Sequence, residues 1–137
     1  MTTVEWAVVM ATKSVFISFD YDNDKDLPGN LVAQAVRPDS PFSITDWSVR
    51  APIDENWRRE VRDRIRRVDL VIVICGEHTH DAAGVAGEVT ITQEENKPYF
   101  LLKGRRRKTC TKPRNALWSD EMHRGTRENL KRIMESV

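Results

Sequence analysis

Leu70-Val71-Ile72-Val73-Ile74-Cys75 is a run of apolar residues with no polar interruption, and no other stretch constrains the fold as much. An alternating strand can leave one face in water, whereas this one cannot. The run predicts a strand covered on both faces, the setting of a central strand in a parallel sheet. Parallel neighbours need a crossover of a dozen or more residues, which a helix supplies. The segments before the run fit that demand. Ser14 to Phe19 is rich in β-branched and aromatic residues and predicts a first strand. Leu27, Leu31, Val32, Ala35 and Val36 recur at helical spacing, and Arg37-Pro38-Asp39-Ser40-Pro41 stops that helix. Phe42 to Trp47 alternates apolar with polar and predicts a second, edge strand. Trp57, Val61, Ile65 and Val68 form the apolar face of a helix over Glu55 to Arg67, with Asp54 placed as its N-cap.

Beyond the central run the pattern is weaker. Ala82 to Asn96 contains Gly84, Gly87 and Val89-Thr90-Ile91-Thr92, all poor helix formers, yet the topology requires a helix there. Lys97 to Leu102 predicts a fourth strand and Asn115 to Trp118 a short fifth. Ser119 or Asp120 is placed to cap a last helix with Met122, Leu130, Ile133 and Met134 on one face. The expected fold is α/β, a doubly wound parallel sheet of about five strands in the order 2-1-3-4-5. Its 137 residues predict one domain, with residues 1–12 as a possible N-terminal extension.

Charge and cysteine content narrow the setting. Lysine and arginine number 22 against 21 acids, a net charge of +1 that gives no reason to expect a nucleic-acid partner. The charges are nevertheless segregated, with Asp20, Asp22, Asp24 and Asp26 in one early loop. Lys103, Arg105, Arg106, Arg107, Lys108, Lys112 and Arg114 crowd a late loop, and both loops read as solvated. Cys75 reads as a small buried hydrophobe and Cys110 as an exposed residue, which suits a reducing compartment. No apolar run approaches the roughly 20 residues of a membrane helix, and Trp6 to Ala11 has no basic lead. A cytoplasmic protein with no cleaved signal and no membrane partner is expected.

In a sheet of this order ligands enter where the crossovers diverge, beyond the C-terminal ends of strands one and three. Phe19-Asp20-Tyr21, Asp46-Trp47-Ser48 and Gly76-Glu77-His78 should rim that crevice. No G-x-G-x-x-G follows strand one, and the carboxylates of Asp20-Tyr21-Asp22-Asn23-Asp24 repel a phosphate placed directly on that turn. The same turn starts like a calcium loop, but Lys25 stands where glycine is needed and Leu31 where a bidentate glutamate is needed. A phosphoaccepting aspartate at the end of strand three is replaced by Cys75-Gly76. Cys75, His78 and His80 match no zinc spacing, and a thiol inside a strand is a poor nucleophile. Glu88 lies in the crossover helix, where periodicity admits either an exposed helix residue or a carboxylate turned toward the crevice.

Ser14 to Asp22, Trp57 to Glu60 with Val68 to Ile74, and above all Gly76-Glu77-His78-Thr79-His80 resemble bacterial TIR-like domains of antiphage systems such as Thoeris. The resemblance spans about Lys13 to Gly104 and implies the same flavodoxin-like sheet. It further implies cleavage of the nicotinamide–ribose bond of NAD+, with NAD+ as substrate and no other cofactor. The product would be an ADP-ribose-derived signal for a separate nucleotide-sensing effector, with self-association on activation. Glu88 matches the family's catalytic glutamate. Phe19, Asp20, Tyr21, Asp46, Trp47, Ser48, Glu77, His78 and Thr79 are the implied substrate-binding set, with Trp47 near the family's flexible loop. One departure is that Gly84 and Gly87 stand where the family carries aromatics. The alternative is therefore a non-catalytic adaptor with a decayed site, assembling through surface charges such as Arg105 to Arg107.

Overall fold

The computed structural model describes residues 12–137, so the expectation for the first residues lies almost wholly outside the described part. Its elements run β1 (Lys13–Ser18), α1 (Tyr21–Asp24), α2 (Pro28–Ala35), β2 (Phe42–Trp47), α3 (Glu55–Arg66) and β3 (Leu70–Cys75). A 3-10 turn (Thr79–Asp81), α4 (Ala83–Glu94), β4 (Tyr99–Lys103), β5 (Met122–Arg124) and α5 (Arg127–Glu135) follow. The strands form one parallel sheet in the order β2-β1-β3-β4-β5, as the sequence predicts. Among the described residues no helix is long and apolar enough to cross a membrane.

Alternation along the strands divides the core into two layers. Val15, Ile17, Leu70, Ile72, Ile74 and Leu102 face α2 and α5, meeting Leu31, Leu130, Ile133 and Met134. Phe16, Val71, Val73, Cys75 and Leu101 face α3 and α4, meeting Trp57, Val61, Ile65, Val85 and Val89. Every residue of β3 is buried, which is why its sequence shows no alternation. Asp54 caps α3 by accepting from the Trp57 backbone N–H at 2.9 Å. α4 forms despite its glycines and β-branched residues because Val85, Ala86, Glu88, Val89, Ile91 and Thr92 are all buried, so tertiary burial outweighs propensity. Asn96, at φ 55°, then turns the chain out in the left-handed conformation that asparagine tolerates.

Five expectations are corrected. The fifth strand is Met122–Arg124, not Asn115 to Trp118, and Trp118 is 94% exposed. The last helix is capped by Thr126 rather than Ser119 or Asp120, so Met122 belongs to β5 and does not share the helix face. The acidic segment is only in part a solvated turn, with Asp22 and Asp26 exposed. Asp20 caps α1, accepting from the Asp22 backbone N–H at 3.1 Å and the Asn23 amide at 2.7 Å, and Asp24 is buried. From the basic loop, Arg105 donates to Asp24 at 3.1 Å, to both Asp26 oxygens and to the Asn23 carbonyl. Arg105 is thus an internal clamp between the two charged segments instead of a free docking charge. Cys110 is half-buried against the α3/α4 layer rather than exposed.

Candidate functional site

β1 ends on Ser18, β2 is followed by Ser48, and α4 passes beneath both strand ends carrying Glu88. Both hydroxyls donate to the same carboxylate oxygen, Ser18 Oγ at 2.7 Å and Ser48 Oγ at 2.5 Å from Glu88 Oε1. Ser48 Oγ in turn accepts from the Phe19 backbone N–H at 2.9 Å, which fixes its proton toward the glutamate. Glu88 is 1% exposed, and its second oxygen, Oε2, has no hydrogen-bond partner among the described residues. Burial pushes its carboxyl up to about 7, opposed by the Ser48 and Ser18 hydrogen bonds and, least of the three, by the Val49 backbone N–H. A buried carboxylate bonded through one oxygen and unpartnered at the other is costly as structure, and it leaves an acceptor for an incoming group.

That group has a cleft to enter. A cavity of about 360 Å³ opens beside Glu88, within the range of small-molecule sites. Phe19, Asp20, Tyr21, Ser48, His78 and Glu88, six of the residues singled out from the sequence, line it together. The Phe19 and Tyr21 rings pack 4.4 Å apart, centroid to centroid, at its edge. Asp22 and Arg50 face each other at its mouth, 3.6 Å apart and exposed.

Four other sequence candidates lie elsewhere. Asp46 is engaged by Arg64 at 2.6 Å on the side of the sheet edge. Trp47 is 45% exposed but does not line the cleft, and Glu77 is exposed outside it. Thr79 is fully buried, and its hydroxyl accepts from the Gly76 backbone N–H at 2.8 Å, so it shapes the loop rather than the ligand surface. Ser18 escapes the sequence reading because a serine closing an apolar strand looks like a strand end, and only its position opposite α4 gives it a role. Trp57 is predicted solely as a core residue, yet its indole also lines the cleft.

Trp57 accounts for one of the two glycines as well. Its indole N–H donates to the Val49 carbonyl at 2.9 Å, and its far edge lies where a side chain on residue 87 would go. A Cβ on Gly87 would sit 2.9 Å from Trp57 Cη2, so α3's own aromatic occupies the space beside residue 87. Gly84 has nothing within 4 Å of such a Cβ. Gly87→Ala is therefore expected to destabilise the protein by about 1–3 kcal/mol through overpacking. Gly84→Ala should be neutral or up to about 1 kcal/mol stabilising through helix propensity. Urea unfolding of the two variants tests this, and equal midpoints would contradict it.

Among curated proteins, none matches the chain. A family match does exist: the family described as Thoeris protein ThsB, TIR-like domain, matches residues 16–109. The matched segment runs from β1 through β4 and contains every residue that lines the Glu88 cleft. It covers more than half of the 137 residues, so the chain belongs to the TIR-like domain family of the Thoeris protein ThsB and is an antiphage-defence TIR-like protein.

Proposed function

We propose that this protein consumes NAD+, breaking the bond between ribose C1′ and the nicotinamide nitrogen and making an ADP-ribose-derived signal. The observation that carries the reading is Glu88, a buried carboxylate whose free oxygen lies beside an open cleft. When the C1′–N bond breaks, its electron pair leaves with nicotinamide, which becomes neutral, and the ribose becomes an oxocarbenium-like cation. A carboxylate held at C1′ stabilises that developing charge and accepts a hydrogen bond from a ribose hydroxyl. Water, or a nucleophilic group of the same molecule, then attacks C1′ and gives up its proton. The first route yields ADP-ribose and the second a cyclised isomer.

The rest of the cleft suits this substrate. Asp20, Asp22 and Asp81 give its rim a negative potential that attracts the pyridinium, while Arg50 at the mouth is a counter-charge for the phosphates. Phe19 and Tyr21 provide an aromatic edge for a flat ring. Ser18 and Ser48 hold Glu88 through Oε1, leaving Oε2 for the sugar. The product is a message for a separate effector, and the active form is a self-associated one.

Incubating the purified chain with NAD+, dilute and under crowding, and following nicotinamide by chromatography tests the reading. Release of nicotinamide that rises with self-association is the expected result. An assembled protein that releases none would leave the adaptor role in its place.

A further inference from the structure

A second concavity lies at the C-terminal edge of the sheet, away from Glu88. It encloses about 520 Å³ between the ends of β4 and β5 and the start of α5, and it shares no residue with the Glu88 cleft. Asn30, Lys103, Arg106, Arg124 and the Gly125-Thr126 step line it, so three of its residues are cations and none is an acid. Lys103 and Arg124 are register partners on neighbouring strands, which sets two positive charges side by side. Repulsion disfavours such a pair unless something negative sits against it. Arg62, Arg64, Arg66 and Arg105 each hold a carboxylate. Among the described residues, no carboxylate pairs with Lys103, Arg106 or Arg124.

Two neighbouring features define what would fit. α5 begins at the concavity, with Thr126 Oγ1 accepting from the Asn129 N–H at 3.2 Å, and the positive end of this nine-residue helix adds to the same potential. Beside it runs a narrower groove of about 150 Å³, lined by Leu27, Leu31, Ile74 and Leu102 and by Asp26, whose carboxylate Arg105 holds, and it shares Asn30, Lys103, Gly104 and Gly125 with the cationic concavity. We propose that this continuous surface is a second site, binding a phosphorylated nucleotide. Its phosphates lie on Lys103, Arg106, Arg124 and the start of α5, and its base covers the leucine-lined groove. No aromatic lines either part, so a single-stranded nucleic acid has no stacking platform here, which favours a small nucleotide.

Calorimetric titration of the full chain with ADP and with inorganic pyrophosphate tests the proposal. Three proteins are compared: the natural one, the double variant Arg106→Gln/Arg124→Gln and, as a control, Glu88→Gln. Arg106 and Arg124 are exposed, so their replacement leaves the core intact. ADP should bind more tightly than pyrophosphate and lose affinity as salt rises. Each arginine removed should weaken binding about tenfold, and Glu88→Gln should not change it. The proposal is overturned by any of four results: no ADP binding, equal affinity in the double variant, equal affinity for ADP and pyrophosphate, or ADP binding lost only in Glu88→Gln. It is overturned likewise if a short single-stranded DNA binds through the two arginines and ADP does not displace it.

Discussion

Replacing Glu88 by glutamine is expected to lower nicotinamide release about 10²- to 10³-fold, the loss that follows removal of one preorganised electrostatic group. The glutamine would keep the two serine hydrogen bonds through its amide oxygen, so the change removes charge while preserving shape. The natural protein should also show a pH dependence that the variant lacks. Burial holds the Glu88 carboxyl at about 7, so below that pH most of the free enzyme carries the inert acid form. kcat/KM should rise through this range and level off above it. In kcat the rise should fall at lower pH, because the bound pyridinium favours the ionised carboxylate.

The same displacement has a stability consequence of opposite sense. A carboxyl whose folded value lies above its unfolded value contributes stability that is fully present below the unfolded value of 4.5. That contribution is lost as pH rises through about 7. A span of this size amounts to about 3 kcal/mol. The natural protein should therefore lose stability relative to Glu88→Gln across that window, while gaining activity over its upper part. Urea midpoints across pH measure the one and nicotinamide release the other. Parallel stability curves for the two proteins would falsify the assignment of Glu88 as a buried carboxylate held out of its ordinary range.

How much of this is legible in the residues depends on what each feature rests on. β3 announces itself because double-sided burial requires an unbroken apolar run, and α3 because Trp57, Val61 and Ile65 repeat at helical spacing with Asp54 ahead of them. Strand order follows from crossovers, which is why α4 can be placed against its own propensities. β5 has no such signal. Met122-His123-Arg124 becomes a strand through pairing with Leu101-Leu102-Lys103, and the aromatic Trp118 misleads because its side chain is in solvent. In the cleft, Phe19, Asp20, Tyr21, Ser48 and His78 are reachable from topology, since each follows the end of a parallel strand. Ser18 and the second role of Trp57 are not, because they depend on which residue of α4 passes under which strand. Burial of Asp24 is illegible for a related reason: its partner, Arg105, lies 81 residues later in the chain.

That pair carries the largest expected effect on folding. The Asp24 side chain is 2% exposed, while that of Arg105 is 28% exposed. Burial raises the Asp24 carboxyl above its ordinary value, with the Arg105 guanidinium opposing the rise. One Asp24 oxygen has no hydrogen-bond partner among the described residues, and the carboxylate lies so tightly against Gly76 that a Cβ there would overlap Oδ2. Arg105→Ala should therefore destabilise the protein by about 3 kcal/mol at neutral pH, the usual consequence of leaving a buried charge without its partner. The deficit should shrink as pH falls and Asp24 takes up a proton, because the penalty attaches to the ionised form. Asp24→Asn in the Arg105→Ala background should recover much of the loss, whereas Asp24→Asn alone gains nothing comparable. Urea unfolding of the four proteins completes a double-mutant cycle, and additive losses would show that the clamp does not hold. Because α1 carries Tyr21, Asp22 and Asn23 into the Glu88 cleft, Arg105→Ala should also raise KM for NAD+ more than it lowers kcat. A loss confined to stability, with KM unchanged, would mean that the clamp serves the fold and leaves the cleft to position itself.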